Sequence, residues 1–149
     1  MMQRGKSMKR VLFVCTGNTC RSPMAELIFN TKVREKGINA QAQSAGLCTI
    51  EGLLINDNSY EALKEIGIES DFFSSTDIYD LDLNNFDLIF GMTADHVKEL
   101  TAMGIPEEKL RLLNADKGGV SDPYGGNLNT YKLCRDILSE NIEKVIAEL

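Results

Sequence analysis

One short stretch narrows the fold more than any other. Four apolar residues, Val11 to Val14, run into seven small or polar ones, Cys15 to Arg21, and then into Ser22-Pro23. The apolar run reads as a short buried strand. Serine is a favoured N-cap, and proline suits the first helical position because its missing N–H would be an orphan there anyway. A helix is therefore expected from Ser22. The loop between strand end and helix start has backbone N–H groups free to converge on one point, where the helix dipole also favours negative charge. Gly17 and Asn18 are the residue types that best tolerate the positive φ angles of a tight anion nest.

Two side chains add chemistry to this oxyanion cradle. Cys15 lies at its base, where the dipole, Arg21 and the Ser22 hydroxyl would favour the thiolate. Arg21 closes the loop with a planar fork suited to two phosphate oxygens at once. A thiolate beneath a bound phosphate is a poised nucleophile. The whole stretch Val14 to Glu26 resembles the signature of the low-molecular-weight protein tyrosine phosphatase family. That resemblance implies Cys15 and Arg21 as catalytic residues, with Thr16, Gly17, Asn18, Thr19, Cys20 and Ser22 holding the substrate phosphate.

Downstream, strand and helix signals alternate. Residues 22–36 read as a helix with Met24, Leu27, Ile28 and Val33 inward and Gly37 as its C-cap. Residues 38–45 alternate with a period of two, as a strand beside the first would. A helix over 57–65 ends at Gly67, and residues 69–85 are irregular. Phe86 to Met92 is an apolar run broken only by Asp87; Thr93 caps a helix over 94–103; residues 109–113 give a fourth strand. Residues 128–149 form a closing helix with Tyr131, Cys134, Leu138, Ile142, Val145 and Leu149 on one face. No hairpin signal occurs, so right-handed β-α-β units are expected. The expected fold is one α/β domain, a four-stranded parallel sheet flanked by helices on both faces. Ligands in such sheets bind beyond the carboxyl ends of the strands, where Cys15 falls.

Composition removes several classes. A net charge of −6 argues against nonspecific nucleic-acid binding. No run reaches transmembrane length, and Arg4, Lys6, Lys9 and Arg10 precede no apolar signal core, so no membrane partner is expected. Met8 is an alternative start that would leave 1–7 as a tail. Gly5-Lys6-Ser7 lacks the upstream glycine and strand of a nucleotide-binding loop. Cys15, Cys20, Cys48 and Cys134 have neither disulfide-framework nor zinc-knuckle spacing, and His96 is the only histidine. No metal or cofactor is expected, and a reducing cytoplasmic setting and a monomer are.

Asp122 is the third residue singled out. Residues 117–126 are a loop by composition, and loss of a poor leaving group needs a proton donor opposite the nucleophile. Alone, Asp122-Pro123 reads as a plain turn; with the Cys15 loop it reads as the proton donor. Asp122-Pro123-Tyr124 also matches the family's general-acid loop, which implies Asp122 as acid and Tyr124 as a pocket wall. The resemblance further implies that Ser44 hydrogen-bonds to Asn18, against an ordinary strand-end serine. A histidine that the family places near residues 71–73 is absent, and Phe72 puts that part of the loop's support in doubt.

Thr19 bears on the substrate. Tyrosine phosphatases of the family usually have an aliphatic residue there, whereas the threonine, with Asp-Pro-aromatic-Gly-Gly later, looks like the bacterial protein arginine phosphatase branch. Phosphoarginine in proteins is therefore expected first and phosphotyrosine second; a near-isosteric change without effect is the plain alternative. Arsenate reductases pass oxidation to cysteines beyond the loop, which this chain lacks between Thr49 and Leu133. A non-catalytic phospho-binding module would be expected to lose Cys15 or Asp122. Cys20 is read either as a passive loop residue or as a disulfide partner of Cys15 under oxidant.

Overall fold

The structure, a computed structural model, describes residues 7–149. Of the expected tail over 1–7, all but Ser7 lies outside the described residues, Arg4, Gly5 and Lys6 included. Strands β1 (Lys9–Cys15), β2 (Ala40–Gly46), β3 (Leu88–Gly91) and β4 (Leu110–Leu112) form one parallel sheet in the order β2-β1-β3-β4. Helices α1 (Arg21–Lys36), α2 (Asp57–Glu65), α3 (Ala94–Ala102) and α4 (Leu128–Ala147) connect and cover it, with short 3-10 turns between.

β1 is central, paired on both edges and covered on both faces. Val11, Phe13 and Cys15 point to the side packed by α1, α2 and α4; Leu12 and Val14 point to the other, with Ile78, Phe86, Leu100 and Ile105. This is why its sequence is an unbroken apolar run rather than an alternating one. Phe13 sits edge-on to Phe29 and stacked on Phe90, with ring centroids 5.9 and 5.5 Å apart. The chain leaves β1 toward β2 on one side and later returns to β3 on the other. That reversal opens a crevice at the carboxyl end of β1, and the Thr16–Cys20 loop occupies it.

Several boundaries differ from the sequence reading, each for a local reason. α1 begins at Arg21 with Cys20 at its N-cap and no side-chain cap. Ser22 is therefore the second helical residue, because its hydroxyl is taken by Cys15 Sγ and Asn18 Nδ2. Pro23 still falls in the first turn, where no N–H is missed. β3 starts at Leu88 because Asp87 turns back: its N–H donates to the Arg10 carbonyl and its Oδ2 accepts from the Arg10 N–H at 2.8 Å. Leu149 lies past the last turn of α4, and Ile146 fills the core instead.

Gly46 ends β2 against the loop. A Cβ there would stand 2.7 Å from the Thr16 carbonyl oxygen and 2.8 Å from Thr49 Cγ2. The nearer contact is backbone, which cannot swing aside. Gly46→Ala should lower stability by about 1–3 kcal/mol, read from a denaturant midpoint, and should displace Thr16; a wild-type melt would show that the loop yields freely.

Candidate active site

The loop carries one left-handed residue, Asn18, with φ 54°; Gly17 does not use its freedom. Asn18 is fully buried and serves as the hub. Its Oδ1 accepts the Thr76 N–H at 2.8 Å, which fixes the orientation of the amide. Its Nδ2 then donates to Ser22 Oγ at 2.8 Å and to Ser44 Oγ at 2.9 Å. Ser44 passes its own proton to Glu26 Oε1 at 2.6 Å. Ser22, already an acceptor from Asn18, has its proton left for Cys15 Sγ at 2.8 Å. The chain of donors therefore runs outward from Asn18 and ends at the sulfur.

This network answers the doubt over Phe72. Phe72 is exposed and takes no part; Glu26, Ser44 and the Thr76 N–H hold Asn18 without a histidine. Burial raises the Glu26 pKa, and its bonds from Ser44 only partly offset this. Glu26 and Thr76 are both missed by the sequence reading. Neither carries a local signal, since each acts only through a partner far along the chain.

Arg21 is 4% exposed and is held from the loop between β4 and α4. Its Nη1 donates to the Val120 carbonyl at 2.9 Å, and its Nη2 lies 3.6 Å from Asp122 Oδ2. Its Nε is buried without a partner. The Nε–Nη2 edge is therefore the side of the fork left to bind an oxyanion bidentately. Among the described residues, none of the N–H groups of Thr16 to Cys20 donates to a backbone carbonyl. They and the first turn of α1 supply the donors of an anion nest.

Asp122 is half-exposed across from Arg21, its Oδ1 accepting the Tyr124 N–H at 3.0 Å in a turn closed by buried Pro123. Tyr124 itself is 76% exposed. Thr19 is half-buried; its carbonyl accepts from Asn56 N, and its hydroxyl meets only Cys20 Sγ, 4.0 Å away. Cys20 Sγ lies 3.7 Å from the Tyr131 hydroxyl, and burial pushes its thiol pKa up. Burial likewise pushes Cys134 up to about 12, consistent with a core thiol. Cys15 and Cys20 are both free thiols. Cys48 is exposed, bonded only through its N–H to the Thr16 carbonyl.

Another residue that the sequence reading missed is His96, read there only as an unpaired metal ligand. Its Nε2 lies 2.9 Å from Thr16 Oγ1. Eighty positions separate the two, so no motif connects them. Among the described residues no group of three or more His, Cys, Asp or Glu side chains is placed to hold a metal ion. No helix among them is long and apolar enough to cross a membrane.

Comparison with known proteins gives this geometry a family. The profile of the low molecular weight phosphotyrosine protein phosphatase matches residues 10–149. The chain is 34% identical over 144 residues to a protein-arginine-phosphatase of Bacillus subtilis, covering 93% of this chain and 95% of that one. It is 35% identical over 152 residues to the low molecular weight protein-tyrosine-phosphatase YfkJ of the same organism, covering 93% and 94%. The crystal structure of a low molecular weight protein tyrosine phosphatase from T. tengcongensis superposes with a TM-score of 0.90 at 39% identity, covering 95% and 99%. The chain is thus a protein phosphatase, and it belongs to the low molecular weight phosphotyrosine protein phosphatase family.

Proposed function

We propose that the protein hydrolyses phosphoarginine in protein substrates, with Cys15 as nucleophile, Arg21 as phosphate clamp and Asp122 as general acid and base. The Cys15 thiolate attacks phosphorus in line, forming the S–P bond as the P–N bond breaks. Arg21 and the loop N–H groups hold the equatorial oxygens as charge develops. Asp122 gives its proton to the departing guanidine nitrogen and then takes one from the water that cleaves phosphocysteine, returning thiolate and inorganic phosphate. The Nε–Nη2 edge of Arg21, its Nε without a partner and its Nη2 held only by the 3.6 Å ion pair to Asp122, supports the clamp. The ordered bond from Ser22 supports the nucleophile.

The observation that carries the choice of substrate is Thr19. Its hydroxyl stands in the loop with no partner but a sulfur 4.0 Å off, so a guanidinium N–H has an oxygen to meet there. Relatives of both specificities are equally close and leave the choice to this residue. Thr19→Ile should lower kcat/KM on a phosphoarginine peptide about 10–100-fold, the range for losing one hydrogen bond to a charged group, while a phosphotyrosine peptide gains or holds. Wild-type preference for the phosphotyrosine peptide would overturn the assignment in favour of a tyrosine phosphatase, with exposed Tyr124 as the platform for the ring.

A further inference from the structure

His96 is a buried polar side chain that touches the phosphate loop without a part in the chemistry above. The fold fixes where its ring sits. Thr93 caps α3 by accepting the His96 N–H at 3.2 Å. Gly91 lets the helix start close against β3: a Cβ there would stand 3.1 Å from His96 Cβ and 3.1 Å from Val97 N. The residue is 5% exposed, and its Nδ1 is buried without a partner.

Burial first, and then the charge of Arg21, bring the His96 pKa down to about 4, so the ring is neutral near pH 7 and carries one N–H. An orphaned buried N–H is rarer in folded proteins than an unsatisfied acceptor. The proton therefore belongs on Nε2, donated to Thr16 Oγ1, with Nδ1 bare; this tautomer is assigned from the hydrogen bonding. Thr16 lies at the exposed rim of the loop. Its hydroxyl, filled from behind, keeps its own proton and a lone pair for whatever enters. Asn18 does the same for Ser22 on the floor of the loop.

We infer that His96 is a positioning residue, donating to the Thr16 hydroxyl so that the rim of the phosphate loop and that hydroxyl are set for the bound phosphoryl group. The inference rests on the phosphatase assignment but not on which phosphorylated residue is preferred.

The test uses p-nitrophenyl phosphate turnover, with inorganic phosphate as competitive inhibitor and Cys15→Ser as blank. The variants are His96→Leu, His96→Gln, Thr16→Val and the double variant His96→Leu/Thr16→Val. His96→Leu and Thr16→Val should each lower kcat/KM and weaken phosphate inhibition about 10-fold, the loss for one hydrogen bond serving a charged group. The double variant should lose no more than either single one. His96→Gln, whose amide nitrogen reaches the same place, should recover most of the activity. Multiplicative losses in the double variant would overturn the inference, as would His96→Gln no better than His96→Leu. An unaffected Thr16→Val would overturn it as well, and that exposed change is readable even if His96→Leu does not fold. Because p-nitrophenyl phosphate carries neither arginine nor tyrosine, failure on a phosphoarginine peptide alone bears on the proposed substrate and not on His96.

Discussion

Asp122→Asn should reduce kcat on a phosphoarginine peptide by about 10²–10⁴-fold, the usual contribution of a positioned general acid. The substitution is nearly isosteric and keeps the turn, since the amide oxygen still accepts the Tyr124 N–H that Oδ1 accepts now. What it removes is the proton, and the loss should depend on how badly the leaving group needs one. With p-nitrophenyl phosphate, whose phenolate departs unaided, the first step should survive. The second should not, because the same carboxylate activates the water. The expected signature is a burst of nitrophenol equal to the enzyme concentration, followed by slow turnover. Stability should change by no more than about 1 kcal/mol, since the half-exposed carboxylate pairs with Arg21 only at 3.6 Å. Equal losses on both substrates with no burst would remove Asp122 from both proton transfers.

Asn18→Ala is expected to have the largest effect on the fold for a change of one side chain. It removes three buried hydrogen bonds, to the Thr76 N–H, Ser22 and Ser44. It also leaves an alanine at φ 54°, where asparagine is tolerated and alanine is strained. Each lost bond is worth about 0.5–1.5 kcal/mol, and the orphaned donor and the strain add to that, so the sum is about 3–4 kcal/mol. Activity should fall further than stability alone dictates, because Ser22 loses the donor that turns its proton toward Cys15. Asn18→Asp separates the parts: it keeps an oxygen for Thr76 but has no N–H for the serines, and it sets a negative charge beneath a phosphate site. Denaturant midpoints with kcat/KM on both variants check this. A cost below about 1 kcal/mol for Asn18→Ala would mean that the hub is not one.

What the sequence makes legible follows from how local each cause is. The bounds of α2 and the Thr93 cap of α3 depend on neighbours three or four residues away, and both appear as read. The parallel sheet follows from the alternation of elements. The cap on α1 was misread because the preference of Ser22 for an N-cap competes with a thiol seven residues back, and propensity alone does not say which wins. Gly17 shows the converse: a residue able to take positive φ is not obliged to. Glu26 and His96 were invisible as site residues, because what matters is which group each faces on an element distant in sequence. Phe72 shows that replacing a supporting residue says little until the rest of its network is seen.

The partners of the phosphate loop come from the whole length of the chain. Residues 15–22 are held by Ser44, the Thr76 N–H, His96, the Val120 carbonyl and Tyr131, up to 111 positions away. A loop that looks self-sufficient on paper thus depends on contacts that carry the closure entropy of large loops. A chain that ends before α4 carries every residue of the Cys15–Arg21 loop but lacks the Tyr131 hydroxyl that meets Cys20 Sγ.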